Sequence, residues 1–102
     1  MGREEAPAGM RPGWAPRLLT LVKVLMAVRE RPGSSIYGIA MRARLPYITA
    51  YRVAWWALKN GLLEAERTGR EARRKGLGLR LTEEGEMFLT ALKAITTMLK
   101  LY

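Results

Sequence analysis

The sequence has 102 residues, with 18 Lys and Arg against 9 acidic residues, all Glu, and a formal net charge of +9. That length suits one small domain with a single core. The absence of Cys, His and Asp excludes disulfides, thiolate nucleophiles, the commonest metal ligand and most acid–base constellations, so a basic binding protein is expected, not an enzyme, with no cofactor and no metal.

Gln is also missing and Asn60 is the one Asn, a depletion of labile residues that points to a thermophile, although six Met run against it. The longest apolar run, Leu18 to Val28, is interrupted by Lys23 and is too short to cross a bilayer. The first sixteen residues carry Glu4 and Glu5 and do not read as a signal peptide. A cytoplasmic, nucleoid-associated protein with no membrane partner is therefore expected.

Residues 1–16 contain Pro7, Pro12, Pro16 and three Gly, and are expected to form a flexible tail. Trp14 stands out in it. Its apolar area favours folding back onto the domain over a tail whose Arg3 and Arg11 probe a minor groove. Over residues 17–31, Leu18, Leu21, Val22, Leu25, Met26 and Val28 recur at helical spacing, and Pro32-Gly33 stops the helix. Ser34 or Ser35 supplies an N-cap for a second helix, Ile36 to about Arg44, which Leu45-Pro46-Tyr47 breaks. A third helix starts near Thr49 and closes at Asn60-Gly61, where Gly61 suits the left-handed cap position.

Residues 62–67 alternate and read as a strand; residues 68–76 are polar and basic; Leu77 to Leu81 alternates again as the returning strand. Thr82 caps a last helix running to the C-terminus, with Glu83 and Glu84 at its positive end. The order predicts an α+β, mostly α fold: a winged helix-turn-helix over residues 17–82 and a dimerisation helix over 83–102.

The charge is unevenly spread. Residues 31–60 carry Arg31, Arg42, Arg44, Arg52 and Lys59 with no acid, a contribution of +5. Residues 67–80 carry Arg67, Arg70, Arg73, Arg74, Lys75 and Arg80 against Glu71, again +5. A lone basic run is usually a solvated face, but these two coincide with the two elements that touch DNA in this architecture. Arg also suits phosphate, because its planar fork donates two parallel hydrogen bonds.

On the third helix, Thr49, Arg52, Trp56 and Lys59 share one face, while Ala50, Val53, Ala54 and Ala57 lie opposite and pack inward; Tyr51, Trp55 and Leu58 lie on the flank. The expectation is that the segment of about 49–60 enters the major groove, with Arg52 on guanine and the 67–78 wing on backbone or minor groove. Ser35, Tyr37, Arg42, Arg44, Tyr47 and Tyr51 complete the expected DNA-binding set, Arg42 and Arg44 reaching phosphate rather than bases. An exposed Trp on that face needs a cover: DNA sugar, a second subunit or the N-terminal tail.

These residues resemble the winged-helix transcriptional regulators, most nearly the PadR-like group, with MarR-like and archaeal winged-helix regulators nearby. Tyr37, Ile39 and Ala40 match a second-helix pattern of that group, while Ile36 and Gly38 depart from it. Tyr51, Gly61 and Leu62 match the recognition-helix pattern, with Ala54 and Ala57 in place of leucines. Leu81-Thr82-Glu83-Glu84-Gly85 resembles the Leu-Thr-x-x-Gly signature that opens the helix after the wing. The resemblance covers about residues 18–95 and implies duplex DNA binding and transcriptional control as a dimer, with no room for a ligand-sensing domain.

The last helix carries two apolar stripes. Phe88, Leu92, Ile95, Leu99 and Tyr102 form one; Met87, Ala91, Ala94, Met98 and Leu101 form the other; Lys93, Thr96, Thr97 and Lys100 make the polar side, with Leu89 near it as an exception. Two stripes are too wide for one neighbour, so one is expected on the first helix and the other on a second copy in a homodimer. Two further readings stand beside a sequence-selective regulator: a weakly selective architectural DNA-binding protein, and a winged-helix module whose Trp face binds a protein partner.

Overall fold

The computed structural model describes residues 10–66 and 78–99. The helices are α1 (Leu18–Glu30), α2 (Ile36–Ala43), α3 (Tyr47–Lys59) and α4 (Glu83–Met98). Strands β1 (Leu63–Glu66) and β2 (Gly78–Leu81) form an antiparallel pair between α3 and α4. This is the expected winged helix-turn-helix order.

The first helix, α1, is the axis of the core. Val22, Val24, Leu25 and Val28 are wholly buried, and Leu21 and Ala27 nearly so. Val24 and Ala27 lie off the stripe expected from sequence, because α1 packs against α2 and α3 and also against α4 and β2. A helix apolar on so many sides belongs in the middle of a domain.

The Ser35 hydroxyl accepts the Gly38 amide at 3.1 Å and is the N-cap of α2. Ser34 serves the sheet instead. Gly33 N–H donates to Leu79 carbonyl at 2.8 Å and Leu79 N–H to Ser34 carbonyl at 2.9 Å, a one-residue third strand that the sequence reading missed. The third helix starts at Tyr47, earlier than expected, because Pro46 fixes the extended N-cap backbone and its carbonyl accepts both the Thr49 and Ala50 amides at 3.0 Å. Gly61 follows at φ +76°, in the left-handed region where glycine is strain-free.

The β1–β2 register pairs Leu63 with Leu81 and Glu64 with Arg80; Arg80 also bridges Glu66 at 3.1 Å. Part of the positive charge expected of the wing is thus spent within the hairpin. The rest of the wing, residues 67–77, lies outside the described residues, as do residues 1–9 and 100–102.

Within the expected tail, Trp14 folds back as its apolar area predicts, while Arg11, Pro12, Gly13 and Ala15 are exposed. Trp14 packs on the core cluster and its N–H donates to the Arg11 carbonyl at 3.1 Å. On α4 the buried side is Gly85, Leu89, Leu92 and Thr96, so of the two expected stripes only Phe88 and Leu92, both of the first, face the core. Leu89, the supposed exception, is wholly buried, and Thr96, placed on the polar side, is buried too. Thr96 tolerates burial because its hydroxyl donates to the Lys93 carbonyl at 3.1 Å within the helix.

Candidate nucleic-acid interface

The third helix, α3, is held by its small residues. Ala50, Val53, Ala54 and Ala57 are buried, which brings the helix close to α1 and α2 and leaves its other sides to larger side chains. The segment 10–17 lies along one of those sides. Trp14, Ala15, Pro16 and Arg17 line a cavity of about 360 Å³ with Thr20, Thr49, Arg52 and Val53. Further along the helix, Met10 to Trp14 face Trp55, Trp56, Lys59 and Asn60 across a second cavity of about 500 Å³.

This arrangement partly covers the face expected to meet DNA. Thr49, Arg52 and Trp56 are half-buried, and Trp56 packs on the core cluster. The tail is therefore the cover that Trp56 required. The exposed residues of α3 are Tyr47, Ile48 and Lys59, while Tyr51 and Trp55 are half-buried like Thr49, Arg52 and Trp56. Tyr47 is 52% exposed and Ile48 41%. The Tyr47 and Tyr51 rings lie tilted, 6.0 Å apart. At the C-terminal end of α3 the Lys59 ammonium sits 5.1 Å from the centre of the Trp55 ring, a cation–π contact. The Trp55 indole N–H is buried with no acceptor among the described residues.

The α2–α3 corner adds to this surface. Tyr37 and Met41 are exposed on α2, and Arg42 and Arg44 are exposed at its end. Arg42 lies 3.8 Å from Glu30, a solvated ion pair worth little and easily exchanged for a phosphate. Arg44 holds the left-handed cap of α2 at φ 56°, and its N–H donates to the Met41 carbonyl at 3.2 Å. Ser35 is exposed, but its hydroxyl is engaged in the cap. Ile48 and Met41 were absent from the expected site; an apolar residue at a helix start reads as core until packing shows otherwise. Arg67, Arg70, Arg73, Arg74 and Lys75 lie outside the described residues.

The expected dimer residues divide. Leu92 is buried and Phe88 half-buried within the chain. Met87, Ala91, Ala94, Ile95, Met98 and Leu99 are exposed, with Met98 at 77%. They form one apolar face on the side of α4 away from Leu89; Tyr102 lies outside the described residues. Among the described residues no cluster of metal-ligating side chains occurs, and no helix is long and apolar enough to cross a membrane.

No protein-family model matches the chain, and no curated protein sequence does. Solved structures resemble it. A MarR family transcription regulator superimposes with a TM-score of 0.69 at 23% identity, over 81% of this chain and 53% of that one. The transcriptional regulator SlyA gives 0.62 at 21%, over 79% and 53%. SSV1 F-93 gives 0.58 at 20%, over 90% and 98%. The chain thus spans about half the length of the first two and nearly all of the third. The likeness shows the winged-helix fold.

Proposed function

We propose that the protein is a duplex DNA-binding transcriptional regulator, not an enzyme, that acts as a homodimer in the cytoplasm, associated with the nucleoid. The observation that carries this reading is that Tyr47, Ile48 and Lys59 of α3 are exposed within a 31–60 segment that holds five cations and no acid. A polyanion is the partner such a surface suits. The first turns of α3 enter the major groove, Arg42 and Arg44 meet phosphates, and the basic wing, Arg67 to Lys75, follows the backbone or minor groove.

The exposed apolar face of α4 supports the dimer, since six exposed apolar residues on one helix face are hidden most simply by a second copy. Two α3 helices then address half-sites about one helical turn apart. The architectural reading, with weak sequence choice, is favoured by one observation: α3 exposes few side chains that make paired hydrogen bonds to bases. The experiment that decides is a titration of a selected duplex and a random duplex at fixed salt. A regulator binds the selected site at least about a thousandfold more tightly; an architectural protein binds both alike.

A further inference from the structure

Base reading in the major groove draws mainly on Arg, Lys, Asn and Gln, whose donors match the edges of guanine or adenine. The chain has no Gln, and its one Asn, Asn60, donates its side-chain amide to the Trp56 carbonyl at 2.8 Å. The one Arg of α3, Arg52, is half-buried beside Trp14 and Pro16. Lys59 is in the last turn, over the Trp55 ring. The exposed residues of the first turn are Tyr47 and Ile48, with the half-buried Tyr51 ring 6.0 Å from that of Tyr47.

The first turns are the part of a recognition helix that meets base edges. In the major groove one feature rewards an apolar contact, the C5-methyl group of thymine. We infer that Ile48, exposed next to Tyr47 at the start of α3, reads thymine methyl groups, so the preferred duplex carries thymine opposite the start of α3. The inference rests on the DNA-binding reading above and adds the chemical feature recognised. The cations of the acid-free 31–60 segment, among them Arg42 and Arg44 exposed at the adjoining corner, hold the phosphates while Ile48 meets the methyl.

The test is fluorescence anisotropy with four short duplexes at one low salt concentration. These are an alternating A·T duplex, the same with deoxyuridine for every thymidine, a mixed-order G·C duplex, and the last with 5-methylcytosine. Deoxyuridine removes only the methyl group, and 5-methylcytosine restores it at the same groove position. Binding is expected to weaken about fourfold for each methyl lost and to strengthen similarly for each one restored, the factor for burying one methyl-sized group. Ile48→Ser collapses both ratios towards one, and Ile48→Val keeps part of each. Ile48 lies at the exposed start of a helix, and circular dichroism confirms the fold of each variant. Equal binding to thymine and uracil duplexes overturns the inference, as does an A·T preference that survives in uracil, which is reading of groove shape. Failure to bind any of the four overturns the DNA-binding reading itself.

Discussion

The Thr82 hydroxyl donates to the Gly61 carbonyl at 2.6 Å while accepting the Gly85 amide at 2.9 Å. Thr82 N–H also donates to the Leu62 carbonyl at 3.1 Å. The start of α4 is thereby clamped to the corner where α3 ends. Gly85 is part of the clamp, because a Cβ there collides with the Leu62 carbonyl. The Leu-Thr-x-x-Gly resemblance at residues 81–85 has this contact as its physical content. Thr82→Ala is expected to cost about 0.5–2 kcal/mol, the range for a lost cap. Gly85→Ala is expected to cost about 1–3 kcal/mol, the range for an overpacked site. Urea denaturation measures both, and wild-type midpoints for the pair contradict the clamp.

The parts legible in the sequence are those fixed by local chemistry. Pro32-Gly33 ends α1, Ser35 starts α2, Asn60-Gly61 ends α3 and Thr82 starts α4, each through bonds within a few residues. The α4 face was not legible. Its apolar residues encircle most of the helix, and only the position of α1 decides that Leu89 and Thr96 point inward. The partial cover of α3 was not legible for a related reason: nothing local says that Trp14 lies along the Thr49–Arg52 flank. The wing expectation rests on charge alone, since Arg67 to Lys75 lie outside the described residues.

Trp14 should matter for stability as well as for shape. It is half-buried against the core cluster, so Trp14→Ala loses part of the 3–5 kcal/mol typical of a fully buried Trp, about 2 kcal/mol. The measurement is the denaturation midpoint, at unchanged denaturant dependence. A wild-type midpoint means the 10–16 segment does not pack on α3 in solution.

Dimerisation through α4 makes a separate prediction. Sedimentation equilibrium at micromolar concentration should give twice the 11.5 kDa chain mass. The double variant Ile95→Glu, Met98→Glu should give a folded monomer, because both side chains are exposed in the single chain and touch no core. A wild-type monomer, or a double variant that remains dimeric, places the interface elsewhere or removes it.

Leu89 and Ile95 provide an internal contrast on one helix. Leu89→Ala should destabilise by about 2–5 kcal/mol, since Leu89 is wholly buried, without changing the fold of whatever dimer forms. Ile95→Ala should cost the isolated chain less than about 1 kcal/mol and act on association instead. Comparing denaturation at two protein concentrations separates the two effects; identical behaviour of the variants contradicts the assignment of α4 faces.

The central claim is that cations of the 31–60 segment and of the wing together grip a duplex, and its most direct measurement is the salt dependence of binding. With about four phosphate contacts per subunit, a dimer predicts a slope of log affinity against log salt on the order of −7. Neutralising Arg73, Arg74 and Lys75 to Gln should bring that slope towards zero by roughly one for each contact removed. A nearly flat dependence in the wild-type protein, or a slope unmoved by the triple variant, contradicts the account.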